Sequence, residues 1–408
     1  MGFFALSPII CYLCDKILRT KTKKNEDENE DENENENENE NAKQIPMKKT
    51  FLALPLLLLT ACSHKPIEQQ CFLPEPVVQE DSFLLYSVHD TTGFEMAVTN
   101  YGARLQRLVL PSGQDVVLGY DTLHHYQQYK QNFGAVVGRY IGRILSGHLV
   151  IDGKEYQLPV GSNGDCSHGG DPSFSQRFWT IQPVESAKAL KFRYVSPDGE
   201  NGFPGELTLD VTYTLLQDGL RIDYDATTTR PTVLNPANHS FFNLTGDLSL
   251  DILGEELWID GDSIALYNPQ KRVTGQLASV EGSPFDFMSS HLIGERIDEE
   301  NDQLKVTGGY DHCYLLNNKG SLEKPVACLS DPHSGVTMEV YTTEPAMQIY
   351  TANGHKGNLI GKEGKAYPKR NAICFETMHF PDSPNKPQWP STLLRPGETF
   401  HSTTIFRF

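Results

Sequence analysis

Glu376, His379 and Asp382 place a carboxylate, an imidazole and a second carboxylate within seven residues. Groups of this kind give and take protons near neutral pH, which is the work of general acid–base catalysis. Pro381, Pro384 and Asn385 then stop regular structure. The preceding Ala372-Ile373-Cys374-Phe375 is apolar and partly β-branched, so it reads as a strand entering a rigid loop. A carboxylate at such a junction is costly unless it is hydrogen-bonded or used in chemistry. Taken alone it is more often structural.

Four further segments carry comparable groups. Asn238-His239-Ser240-Phe241-Phe242-Asn243-Leu244 sets an imidazole among aromatics and amides, and Ser167-His168-Gly169-Gly170 sets another at a glycine loop that permits close backbone approach. Gly138 to Arg143 supplies the guanidiniums of Arg139 and Arg143, and Tyr310-Asp311-His312 joins acid to imidazole. For each histidine singly, a structural role is the commoner one. There is no H-E-x-x-H and no compact His/Cys set that declares a metal. A dinucleotide fingerprint, a P-loop and a G-x-S-x-G elbow are absent as well. What remains is a proton-transfer inventory without a cofactor.

The elements that must position these groups are short strands. Leu149 to Leu158 turns at Asp152-Gly153, and Leu207–Leu215 is followed by Asp218-Gly219 and Leu220–Ala226. Thr208 to Leu215 alternates with the period of two that a half-buried antiparallel strand requires. Helical periodicity is scarce, Leu292 to Glu300 being the best short candidate. One all-β domain is expected over 81–408, as large antiparallel sheets packed in a sandwich.

The 408 residues hold 53 acidic and 35 basic side chains, a net charge of −18. Ten of those negative charges fall between Asn25 and Asn41, an apolar-free Glu/Asp/Asn tract read as disordered, and the remainder carries only −8. No basic cluster or nucleic-acid motif stands out, so no nucleic-acid partner is expected. Residues 47–62 read as a lipoprotein signal: Met47-Lys48-Lys49-Thr50 is a basic start, Phe51–Leu59 an apolar run, and Leu59-Thr60-Ala61-Cys62 resembles a bacterial lipobox. Cys62 would be acylated and hold the protein on a membrane face of a bacterium, on the periplasmic or cell-surface side. That apolar run is too short to span a bilayer, which takes about 20 residues. Residues 1–46 are read as an upstream extension before the true start at Met47, and 63–80, with three prolines, as a tether. Cys11 and Cys14 form a C-x-x-C with no second pair at zinc spacing. Cys71, Cys166, Cys313, Cys328 and Cys374 form no disulfide framework and are expected to be buried free thiols.

Taken in order, these segments resemble the aldose 1-epimerase (galactose mutarotase) family. Gly138–Arg143 is similar to the family's G-R-x-x-N-R, His168-Gly169-Gly170 to its L-H-G-G, and Asn238–Leu244 to its N-H-x-x-F-N-L. Tyr310-Asp311-His312, Thr342-Thr343-Glu344-Pro345 and Glu376–Ser391 complete the series, and the resemblance runs from Asn100 to Thr399. It implies a β-supersandwich with an open sugar cleft, and interconversion of the α and β anomers of free aldohexoses such as galactose and glucose. By match to the motifs, Glu376 would be the general base and His239 the general acid, while Arg143, His168, Asp311 and Gln348 would fix the sugar hydroxyls. No cofactor is required; some bacterial relatives carry a bound calcium, which the sequence does not establish here. Monomer and dimer are equally compatible with the sequence. The chain departs from the family at Gly142 in place of Asn, Ser167 in place of Leu, Cys313 in place of Asn, and Ala346-Met347 in place of Gly-Val. These departures bear on sugar preference more than on reaction type. Three rival readings stay open: a non-catalytic carbohydrate-binding lipoprotein, a hexose-6-phosphate epimerase, and a retaining glycosidase using Glu376 and Asp311.

Overall fold

The computed structural model describes residues 71–408. The acidic tract, the signal-like 47–62 segment with Cys62, and the first part of the tether lie outside the described residues.

Two antiparallel sheets dominate. The larger has nine strands, centred on Leu207–Leu216, Gly219–Thr228 and Phe400–Arg407. The second has six, in the order Phe241–Phe242, Ile373–Met378, Ala346–Tyr350, Asp311–Leu315, Ser263–Tyr267 and Val273–Ser279. A four-stranded sheet, Val78–Glu80 to Arg104–Val109, precedes them. The all-β antiparallel expectation holds.

The two-residue period of the strands explains how the layers meet. Leu209, Val211, Tyr213 and Leu215 alternate into a single core, which also receives Met347, Ile349, Ile373 and Phe375 from the six-stranded sheet. Phe242 packs on Phe406 with ring centroids 4.7 Å apart, and Thr377 shares a 2.6 Å hydroxyl hydrogen bond with Thr404 across the same interface. Burying a large apolar side chain stabilises by about 1.5–3 kcal/mol. The inner face of the Ile373–Met378 strand is therefore fixed by the core, and its outer face is presented in one register.

Several expectations need correction. The Leu149–Leu158 hairpin forms with Asp152 and Gly153 both at positive φ, as its turn demands, but the next turn lies at Gln217-Asp218 because Gly219 is already paired with Leu216. A Cβ at Gly219 would lie 1.9 Å from the Phe406 carbonyl oxygen, so glycine is there for close strand approach. The expected helix shrinks to Ile293–Arg296, since Leu292 pairs with Glu256 in a sheet, and a second helix, Asp302–Thr307, starts where the Asn301 side chain caps it. The tether does not extend to residue 80: Phe72 bridges to Val184, and Val78–Glu80 pairs with Phe83–His89, so backbone hydrogen bonds draw this stretch into the folded body. The five described cysteines are free, but only Cys166, Cys313 and Cys374 are buried; Cys71 is exposed and Cys328 half-buried.

Candidate active site

On the outer face of the six-stranded sheet, strand register lines up side chains from three strands. Cys313 pairs with Gln348, and Gln348 with Glu376, so the three form a row. Asp311, two residues before Cys313, emerges on the same face, and its carboxylate accepts a 2.7 Å hydrogen bond from the Gln348 amide. Tyr267 ends the next strand and donates to the other side of Gln348 at 3.4 Å.

His239 comes from outside this sheet. It ends the strand Ala237–His239, paired with Ala135–Val137. Asn238 locks that strand end by donating to the Gly134 carbonyl at 2.8 Å and accepting from the Ser240 amide at 3.0 Å. The His239 ring stacks on Phe241 at 5.0 Å between centroids, placing Nε2 3.3 Å from Glu376 Oε1 and Nδ1 3.5 Å from Cys374 Sγ. His168 lies beside it, with ring centroids 5.7 Å apart.

The His168 loop shows why glycines follow. His168 itself has φ +51°, and its amide bonds the Gly142 carbonyl at 2.8 Å. A Cβ on Gly169 would stand 2.1 Å from the Gly138 carbonyl oxygen, so only glycine lets the loop close. His168 Nδ1 is buried without a hydrogen-bond partner in the protein, a group left available for a ligand. Arg143 pairs through its backbone with Ser167, and its Nη1 donates to the Lys271 carbonyl at 3.2 Å.

Together these groups line an open cleft of about 280 Å³. All six site residues named from the sequence border it: Arg143, His168, His239, Asp311, Gln348 and Glu376. The other candidates go elsewhere. Arg139 is buried and donates to the carbonyls of Pro204 and Gly205. His312 turns inward against Phe285, their rings 4.4 Å apart. His379 pairs with Glu344 at 2.8 Å, and Asp382 accepts from the Leu145 amide and the Lys386 ammonium, so both shape the loop.

Sequence reasoning missed Tyr267, Lys271 and Cys374 as neighbours of the site. Nothing local in Ala265–Arg272 marks a cleft wall, and Cys374 reads in the sequence as one more buried thiol. One ligand atom each from His239, Cys374 and Glu376 lies within 4.8 Å of the others, a grouping compatible with a metal that the sequence pattern does not declare.

Burial dominates the electrostatics. Desolvation, with the neighbouring Asp311 charge second, pushes the Glu376 carboxyl up to about 8. Desolvation and then His168 push the His239 imidazole down to about 3. His168 falls to about 4 through burial and the Arg143 charge, and Asp311 is raised by burial. Burial thus drives both members of the 3.3 Å pair toward their neutral forms.

A buried carboxyl–imidazole pair at the floor of a polar cleft on a β-supersandwich defines a site equipped for proton transfer to a small polyol. Similar architecture occurs in galactose 1-epimerase from Lactobacillus acidophilus NCFM (TM-score 0.72, 25% identity, covering 82% of this chain and 97% of that one) and in a GalM/aldose epimerase homologue from C. elegans (TM-score 0.70, 25% identity, 79% and 97%). Residues 85–407 match the family model for aldose 1-epimerase. Galactose mutarotase of Rattus norvegicus is 43% identical over 296 residues, spanning 72% of this chain and 84% of the relative. Aldose 1-epimerase of Escherichia coli K12 is 33% identical over 333 residues, spanning 80% and 95%. The chain belongs to the aldose 1-epimerase family.

Proposed function

We propose that this protein is an isomerase that interconverts the α and β anomers of free aldohexoses, and that Glu376 and His239 carry the proton transfers. The observation that supports this is their 3.3 Å approach in the cleft. Ionised Glu376 takes the proton from the anomeric hydroxyl while protonated His239 gives one to the ring oxygen, and the C1–O5 bond breaks. The open-chain aldehyde rotates about C1–C2. The same two groups then run the steps in reverse on the other face, so each serves as acid and as base.

The electrostatics supports this cycle. After ring opening the proton sits on Glu376 and His239 is neutral, the arrangement that burial favours in the cleft. Ring closure returns the pair to carboxylate and imidazolium, which differ from the resting arrangement only by one proton moved across a hydrogen-bond distance. Arg143, His168, Asp311 and Gln348 hold the hydroxyls: Arg143 can only donate, His168 Nδ1 has no protein partner, and Asp311 and Gln348 form one hydrogen-bonded unit. No cofactor enters the scheme. The comparisons offer no support for the binding-module, hexose-phosphate or glycosidase readings.

The test is polarimetry of freshly dissolved α-galactose and α-glucose. Added protein is expected to speed relaxation to the equilibrium rotation, and an unchanged relaxation rate for both sugars would sink the reading. We also propose, from Met47–Cys62 alone, that the protein is an acylated lipoprotein exported to a membrane face. Cys62→Ala is then expected to move it from the membrane to the soluble fraction; a soluble wild type would contradict this.

A further inference from the structure

The cleft holds a cation that the family motifs do not account for. Lys271 sits in the turn joining Ser263–Tyr267 to Val273–Ser279. The Asn268 side chain fixes this turn by accepting from the amides of Gln270 and Arg272, each at 3.0 Å, and Lys271 adopts φ +56°. Two contacts hold the turn in place: Arg143 Nη1 donates to the Lys271 carbonyl at 3.2 Å, and Arg272 pairs with buried Asp165 at 2.9 Å. The exposed Lys271 side chain still borders the cleft, where Nζ donates to the Thr307 carbonyl at 3.3 Å.

Arg143 and Lys271 therefore share one wall, and among the described residues neither has an ion-pair partner, although nearby Arg272 does. The carboxyl groups bordering the cleft, Asp311 and Glu376, are engaged with Gln348 and His239. Burial raises both above their ordinary values, to about 8 for Glu376, while the Lys271 and Arg143 charges partly offset the rise at Asp311. Next to Arg143, Gly142 contributes no side chain where the family motif carries an amide, and Met378 and Pro381 pack against that position. A hydroxyl meets an ammonium with a neutral acceptor, whereas a carboxylate brings the opposite charge as well, and a guanidinium can hold it bidentately. Two cations, each with one donor contact to a backbone carbonyl, suit a planar monoanion. A phosphate dianion calls for more donors than this wall offers.

We propose that the cleft accepts hexuronates, sugars bearing a carboxylate at C6, and that Lys271 acting with Arg143 sets this preference. The inference rests on the mutarotase reading. Chemistry at C1 and O5 is unchanged, and the C6 carboxylate takes no part in bond making or breaking.

The test compares galactose, glucose, galacturonate, glucuronate and glucose 6-phosphate by polarimetry, using full-length wild type and Lys271→Gln at low and high salt. Wild type is expected to turn over a uronate with kcat/KM at least equal to that for the matching neutral hexose. The uronate-to-hexose ratio is expected to fall about fivefold in Lys271→Gln, near the upper end for an exposed ion pair. High salt should lower the same ratio by screening. Turnover of galactose but of neither uronate overturns the proposal, and so does a ratio unaltered by the substitution. Faster turnover of glucose 6-phosphate than of either uronate overturns the carboxylate assignment. If neither neutral nor acidic free sugars relax faster with protein, the mutarotase reading itself fails.

Discussion

Glu376→Gln isolates the proposed base. The amide keeps the side chain's length and its place in the row with Gln348, but it cannot take the anomeric proton. If the carboxyl served only as a hydrogen-bond partner, its loss would cost about 0.5–1.5 kcal/mol, roughly tenfold at most. Losing a general base costs about 10²–10⁴-fold, or some 2.7–5.4 kcal/mol of barrier. Those ranges do not overlap, so the size of the loss decides the role. Polarimetry with α-galactose, corrected for spontaneous mutarotation, measures it. A variant keeping more than a tenth of wild-type kcat/KM would refute the assignment. Thermal melting supplies an independent check. The folded-state pKa is raised from 4.5 to about 8, so stability present below the lower value is lost as pH rises through the higher one. Glutamine does not titrate. The variant's Tm minus that of wild type should therefore grow more positive between pH 5 and 9, and a flat difference would contradict the buried-carboxyl account.

Other outcomes follow from the same geometry. Wild-type kcat/KM should stay level through about pH 5–7 and decline above about 8, where the Glu376–His239 pair loses its shared proton; activity rising above pH 9 would contradict this. Gly169→Ala should cost about 1–3 kcal/mol through overpacking, because its Cβ would meet the Gly138 carbonyl at 2.1 Å, and chemical denaturation would show a midpoint shift if so. Asp382→Asn should lower Tm and raise KM more than it lowers kcat. It removes the charge paired with Lys386 on the loop whose Asp382 amide bonds the Arg143 carbonyl, and a purely catalytic loss with unchanged KM would refute that role.

Much of the site was legible in the sequence because its residues fall in motifs that resemble the family's, and the strands carrying them set which face each side chain meets. A two-residue period sends Phe375 to the core and Glu376 to the cleft. Proximity in sequence was a poorer guide. Arg139 and Arg143 lie in one motif, yet one guanidinium satisfies buried carbonyls while the other borders the cleft. His379 and Asp382 follow Glu376 closely, but the strand has ended and their side chains serve the loop. Tyr267 and Lys271 were invisible for the opposite reason. They reach the site only because the strand Ser263–Tyr267 pairs with Asp311–Leu315, a register set by tertiary packing rather than by local pattern. The tether ends before residue 80 because strand pairing at Val78–Glu80 outweighs the local proline signal.

The proposed reaction centre and two of the residues that border it, Lys271 and His168, belong to different kinds of structure. Glu376 and His239 stand on strands whose placement is inherited from the sandwich core and from paired backbone, whereas Lys271 and His168 stand on turns at positive φ. Residues in the turns can be exchanged without disturbing the register that brings carboxyl and imidazole together. Such a scaffold lets substrate choice diverge while the reaction is conserved, and it marks the turn Asn268–Arg272 as the place to redesign what the protein grips.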